Sequence, residues 1–155
     1  MRYSDNRSHR YGYWLVVLQF VLVFGLIFIT SPLNAITSGN LGTLIPMAIS
    51  VIVALAALQA NQFGNFNIHP SPKQNGRLIV HGIYQHIRHP MYTAVMLFGV
   101  ACMLASPSLE SVLMLCGLCL VLVRKSRLEE TWLKQKYPSY SDYLSKTRGF
   151  LPWFY

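Results

Sequence analysis

Apolar residues fall into four runs along the 155-residue chain, and the polar residues gather between them. The first run spans about Tyr13 to Ile29 and the second about Leu44 to Ala60. Each approaches the ~17 to 25 residues that a helix needs to cross a bilayer. The third, Met91 to Ala105, and the fourth, Ser111 to Val123, are shorter. At ~1.5 Å per residue each covers about 20 Å of a roughly 30 Å hydrocarbon core. They must extend through flanking polar turns, tilt, or form a shallow hairpin about Ser106-Pro107-Ser108. In lipid each run must satisfy its own backbone, so helices are expected throughout.

The connections add detail. Asn61 to Gly76 is rich in Asn, Pro and Gly and reads as a loop. Pro90 suits the first turn of the third helix. The fourth helix is expected to continue past its apolar part through Arg124 to about Lys136, where Pro138 ends it. Tyr140 and Tyr143 follow at helical spacing, and the terminal P-W-F-Y reads as an interfacial anchor. The expected fold is therefore all-α: a polytopic membrane protein with about four transmembrane helices and a cytosolic helical C-terminal extension. The chain reads as one domain, residues 1–155. A tail and two helices fill 1–60, and a loop, a helical hairpin and a C-terminal segment fill 61–155.

Charge orients this arrangement. Composition is 53% hydrophobic and 12% charged, with a net charge of +8. Lysine and arginine occur in the N-terminal tail (Arg2, Arg7, Arg10), between Asn61 and Pro90 (Lys73, Arg77, Arg88), and after the fourth run (Arg124, Lys125, Arg127, Lys134, Lys136, Lys146, Arg148). Thr30 to Thr43 and Ser106 to Glu110 contain none. With four crossings the basic segments share one side, which the positive-inside rule makes cytoplasmic. Both termini are then cytoplasmic, and a bacterial inner membrane is the expected location. Basic residues at the ends of apolar runs point to lipid headgroups, and no nucleic-acid partner is expected. No cleavable signal peptide is evident. Cys102, Cys116 and Cys119 lie inside apolar runs and read as small hydrophobes, with no disulfide framework expected.

The candidate chemistry is concentrated in Gly82 to Tyr92, G-I-Y-Q-H-I-R-H-P-M-Y, directly before an apolar run. Polar clusters at a membrane boundary are costly unless they bind something. A helix start behind Pro90 presents backbone N–H groups, and Arg88 adds a bidentate cation, which suits a carboxylate or phosphate. The plainer alternative is an arginine snorkelling to headgroups. Two of only five acidic residues, Glu129 and Glu130, are adjacent. They would either meet a polar ligand or pair locally with Arg124, Lys125, Arg127 or Lys134. Adjacent helical residues point about 100° apart, so the two should differ in role. His69, His81, His86 and His89 invite a metal, but no ligand signature supports one and none is expected.

Gly82, Tyr84, Arg88, His89, Pro90 and Tyr92, followed by Glu129-Glu130 and the aromatic tail through Tyr137, Tyr140, Tyr143 and Pro152, resemble the isoprenylcysteine carboxyl methyltransferase family. That family belongs with the phospholipid N-methyltransferases. Its pattern is roughly G-x-Y-x-x-x-R-H-P-x-Y-x-G, and Ala94 stands here where the last glycine often does. The resemblance covers about Asn65 to Pro152. It implies S-adenosylmethionine bound without a Rossmann domain, and methyl transfer to a lipophilic acceptor that enters from the bilayer. It implies cofactor contacts from His81, Gly82, Tyr84, Arg88, His89, Pro90, Tyr92, Glu129 and Glu130, with Arg88, His89 and Glu130 closest to the chemistry. Arg88 would hold the methionine carboxylate, and one glutamate the ribose hydroxyls or the amino group. An amine or hydroxyl acceptor would need a base, for which His86 or His89 is the candidate. A carboxyl acceptor such as an isoprenylcysteine-like compound would not. A phospholipid amine acceptor, a nicotinamide-dependent lipid reductase and a non-catalytic membrane subunit remain open at this point, as does the oligomeric state.

Overall fold

The computed structural model describes residues 6–37, 39–65, 69–72 and 76–151. Arg2, Lys73, Pro152 and the terminal P-W-F-Y lie outside the described residues. The described chain is helical: α1 (Asn6–Thr30), α2 (Pro32–Thr37), α3 (Leu41–Asn65), α4 (Pro90–Ala105), α5 (Leu109–Lys136) and α6 (Tyr140–Lys146), with a 3₁₀ turn at Gly82–Gln85. The pairing of β type among these residues is an isolated parallel bridge between Ile87 and Arg148.

Two helices are long and apolar enough to cross a membrane, over Arg7–Thr30 and Leu41–Asn61. α4 is apolar but shorter. α5 runs 28 residues, apolar in its first half and polar beyond Val123. Its end at Lys136 before Pro138 is where the sequence places it, because proline disfavours helical backbone in the residue before it. Pro90 occupies the first turn of α4. The α4–α5 turn is fixed by a capping box: Ser108 Oγ accepts from the Ser111 N–H (3.1 Å), and the Ser108 N–H donates to Ser111 Oγ (3.0 Å).

Two expectations need correction. Asn61 to Gly76 is not loop throughout, because α3 continues to Asn65 before the chain turns. The glycine and asparagines that suggested a loop lower helix propensity only modestly beside three preceding turns of good helix formers. The connection from Thr30 to Thr43 also contains a six-residue helix, α2, which buries Pro32 and Ala35. Six residues are too few for a periodic signal.

Packing places small residues at several helix contacts and leaves many large apolar ones on the outside. α3 packs on α4, α4 on α5 and α1, and α1 on α5. Small residues occupy many contacts: Ala57, Ala94 and Ala101 are buried, and Gly99 is also buried. A Cβ on Gly99 would lie 2.9 Å from Leu115 Cδ1, so the absence of a side chain permits the α4–α5 approach. Large apolar side chains face outward instead, with Phe28 85% and Trp14 67% exposed. Small residues at the helix contacts are a pattern of helices packed in lipid. A compact cluster of Leu26, Cys102, Leu118 and Leu122 joins α1, α4 and α5 beneath the polar end.

Candidate active site

The Arg88-His89 pair sits in the short link between the 3₁₀ turn and α4. It is fixed there by a segment 60 residues later. Arg88 N–H donates to the Arg148 carbonyl (2.8 Å), His89 N–H to the Gly149 carbonyl (3.0 Å), and Arg148 N–H to the His86 carbonyl (3.2 Å). Thr93 Oγ1 adds a bond to the Phe150 carbonyl (2.7 Å). The C-terminal segment therefore clasps the start of α4. The expected free N–H groups behind Pro90 are largely consumed, since the Tyr92 and Thr93 N–H groups donate to the His89 carbonyl. Proline has none to offer.

Side chains from α5 complete the cluster. Arg88 Nε donates to Glu130 Oε1 (2.8 Å), and Arg88 Nη1 donates to the Thr147 carbonyl. His89 Nε2 lies 3.0 Å from the same Glu130 oxygen, and His89 Nδ1 lies 3.6 Å from Glu129 Oε2. Tyr92 OH donates to Glu129 Oε2 (2.7 Å). The two carboxylates diverge, as adjacent helical residues must. Glu130 turns inward to the Arg88-His89 pair, and Glu129 borders a cavity. Their ion pairs reach across elements; among the described residues none runs to a basic side chain of α5 itself.

Electrostatics bias Glu130 and His89 toward their charged forms. Burial works against the carboxylate of Glu130, but hydrogen bonds and charge from His89 and Arg88 overcome it and hold the group at about 2. Burial likewise works against protonation of His89, yet Glu129 and Glu130 outweigh it and raise the imidazole above its ordinary value. His89 is thus held between two carboxylates that favour its protonated form. His86 is exposed and bonded to Gln85.

A cavity of about 370 Å³ opens beside this network, within the roughly 300 to 1,000 Å³ of small-molecule sites. Of the expected cofactor contacts, Tyr84, Arg88, His89, Pro90, Tyr92 and Glu129 line it, as does His69. His81 and Gly82 are exposed and do not, and Glu130 stands behind the wall. Gly82 has φ of +60°, and a Cβ there would lie 3.0 Å from the Ala60 Cβ, so its glycine answers a backbone requirement. Ala94 is buried and does not line the cavity; its carbonyl accepts a hydrogen bond from Ser50 on α3 (2.7 Å).

The aromatic tail of the family pattern also lines the cavity, a role the sequence does not assign to its tyrosines. Tyr137, Tyr140 and Tyr143 enter from the α5 end and α6. Tyr143 OH bonds to the Tyr84 carbonyl and Tyr137 OH to the Gly76 carbonyl, which ties these elements around the cavity. Tyr140 is 1% exposed, and its hydroxyl has no hydrogen-bond partner among the described residues. Burial first, then Glu130 and Glu129, push its phenol up, so it stays protonated. Lys125, expected among the surface cations, is 2% exposed and lines the cavity with Gln19. A signal for that pair existed, since Gln19 is the one strongly polar side chain in the first apolar run.

A family model for phospholipid methyltransferases matches residues 35–140. The cobalt-zinc-cadmium resistance protein CzcN of Cupriavidus metallidurans is 29% identical, over 97% of this chain and 68% of its own length. No solved structure matches the chain.

Proposed function

Since the chain belongs to the phospholipid methyltransferase family, we propose that it transfers a methyl group from S-adenosylmethionine to a lipophilic acceptor drawn from the bilayer. The observation that carries this reading is the convergence of Arg88, His89, Tyr92 and Glu129 on one cavity at the polar end of a helical bundle. The cavity's donor set suits the cofactor. Arg88 retains its Nη2 edge for a carboxylate, and Glu129 offers an acceptor for an amino group or ribose hydroxyls. Tyr140 contributes a buried hydroxyl without a partner among the described residues. The faces of Tyr84 and Tyr92 suit a sulfonium through cation–π attraction.

S-adenosylmethionine, when bound, supplies an electrophilic methyl group. The protein's contribution is positioning and exclusion of water. Glu130 fixes Arg88 and His89, Tyr92 fixes Glu129, and the 147–150 clasp fixes the backbone beneath them. With both His89 ring nitrogens facing carboxylates, neither is placed to take a proton from an acceptor, which favours an acceptor that needs no base. That makes a carboxylate, as in an isoprenylcysteine-like compound, the preferred acceptor over a phospholipid amine. The four-crossing topology with cytoplasmic termini and a bacterial inner-membrane location belong to the same proposal.

Calorimetry on the protein in nanodiscs tests it. S-adenosylmethionine and S-adenosylhomocysteine should bind. Removing Arg88's charge-assisted pair should weaken binding by on the order of 2 to 5 kcal/mol in Arg88→Ala. Arg127→Ala, at an exposed position, should leave it unchanged. Binding of NADPH with neither methionine compound would move the protein to the reductase class.

A further inference from the structure

Lys125 is out of place for a surface cation. Its side chain is 2% exposed, at the wall of the cavity where α1, α4 and α5 meet. Nζ donates to Gln19 Oε1 (2.7 Å) and lies 5.1 Å from the centre of the Tyr92 ring. Both partners are neutral. Among the described residues no carboxylate oxygen lies within ion-pair distance of it. An ammonium has three N–H donors, and the amide of Gln19 takes one. Glu129 acts on Lys125 only at longer range and takes the Tyr92 hydroxyl instead, and a buried cation without a directly paired counter-charge is costly unless it meets an anion.

The surroundings indicate what that anion is attached to. Gln19 is followed by Phe20, which is 40% exposed on the outer face of α1 and also lines the cavity. Met91 and Val95 of α4 continue the same apolar wall. In the other direction Tyr92, whose face Lys125 covers, donates to Glu129. Lys125 thus stands between an apolar wall at the lipid-facing side and the carboxylate that faces the cofactor space.

We propose that Lys125 is the acceptor-selecting residue, its ammonium positioned by Gln19 to bind the anionic group of a lipophilic acceptor whose tail lies along Phe20, Met91 and Val95. This rests on the methyltransferase reading and narrows its substrate class to anionic amphiphiles. The anion has two possible sources. It is either a carboxylate that itself takes the methyl group, or a lipid phosphate that holds a nearby nucleophile in place.

Displacement of a fluorescent sixteen-carbon fatty acid from the full-length protein, in phosphatidylcholine nanodiscs, separates these. The competitors are palmitate, hexadecyl phosphate and hexadecanol, which share one tail. An anion should compete about tenfold or more better than the alcohol. Preference for palmitate identifies a carboxylate acceptor, and preference for hexadecyl phosphate a phospholipid-type headgroup. Lys125→Gln keeps a polar partner for Gln19 and loses the charge, so it should abolish the preference. Lys125→Arg should retain it. S-adenosylhomocysteine binding to the same samples reports that each variant is folded. Equal competition by hexadecanol and both anions in the wild type overturns the proposal without any variant. So does an anion preference that survives in a folded Lys125→Gln, which would make Lys125 only a strut between α1 and α5. Absence of S-adenosylhomocysteine binding in a wild type that still prefers anions would instead sink the methyltransferase reading and leave the anion site standing.

Discussion

Glu129 and Glu130 are neighbours in sequence with separate duties. Glu130, 16% exposed, holds Arg88 and His89, while Glu129, 30% exposed, takes the Tyr92 hydroxyl at the cavity edge. Glu130→Gln leaves two cations short of a partner and should destabilise the protein by on the order of 2 kcal/mol, read as a lowered unfolding temperature. Glu129→Gln should weaken cofactor binding with a smaller change in unfolding temperature. The pH dependence follows from the same pairs. Glu130 is held at about 2 against an ordinary 4.5, so its contribution is present above 4.5 and is lost as pH falls toward 2. His89 is raised, so its contribution is complete below 6.5 and is lost as pH rises through its folded value. Unfolding temperature of the cofactor-free protein should therefore peak between pH 4.5 and 6.5. In Glu130→Gln the fall on both sides should be shallower. An unfolding temperature that rises steadily from pH 6.5 to 9 in the wild type would contradict this assignment.

Among the elements, the two short ones matter as much as the long spans. The 3₁₀ turn at Gly82–Gln85 and α6 at Tyr140–Lys146 are joined by the Tyr143 hydrogen bond to the Tyr84 carbonyl, and they close the cavity on the polar side. The turn starts with a left-handed residue, Gly82, pressed against α3 at Ala60. Gly82→Ala should cost about 1 to 2 kcal/mol through backbone strain. Gly82→Asn should cost less, because asparagine adopts this conformation more readily. Cofactor affinity should track stability across the two variants. Equal loss of affinity with unchanged stability would mean that Gly82 touches the cofactor directly.

For the whole molecule, Phe24, Phe28, Ile52 and Leu55 are exposed on α1 and α3, and lysine and arginine are confined to the N-terminal tail, the Asn61 to Pro90 connection and the segment after Val123. That arrangement suits a bilayer around the bundle and water at the cavity end. Single cysteines introduced on a background lacking Cys102, Cys116 and Cys119 test the orientation. A cysteine at Ile36, in the uncharged connection, should label rapidly from outside the cell, and one at Lys146 only after permeabilisation. The reverse pattern would invert the topology.

By itself the sequence determined the four long helices and the stops of α4 and α5, but neither the end of α3 nor the presence of α2. Apolar runs of fixed length, Pro90, Ser108 and Pro138 act locally, through backbone sterics, capping and the cost of unpaired backbone groups in lipid. It also marked Arg88, His89, Tyr92, Glu129 and Glu130, because ionisable and aromatic clusters at the end of an apolar run are rare. Tertiary structure decided which of them face the cavity. His81 and Gly82 share the motif but lie outside the cavity wall, and Glu130 turns behind it while Glu129 does not. It also decided that Lys125, seventeen residues into α5, meets Gln19 on α1 and not the headgroup layer. It brought residues 147–150 back across the chain onto Arg88, His89 and Thr93. Contacts between residues 60 or 106 positions apart depend on how helix faces pack, and periodicity within one run carries no record of that.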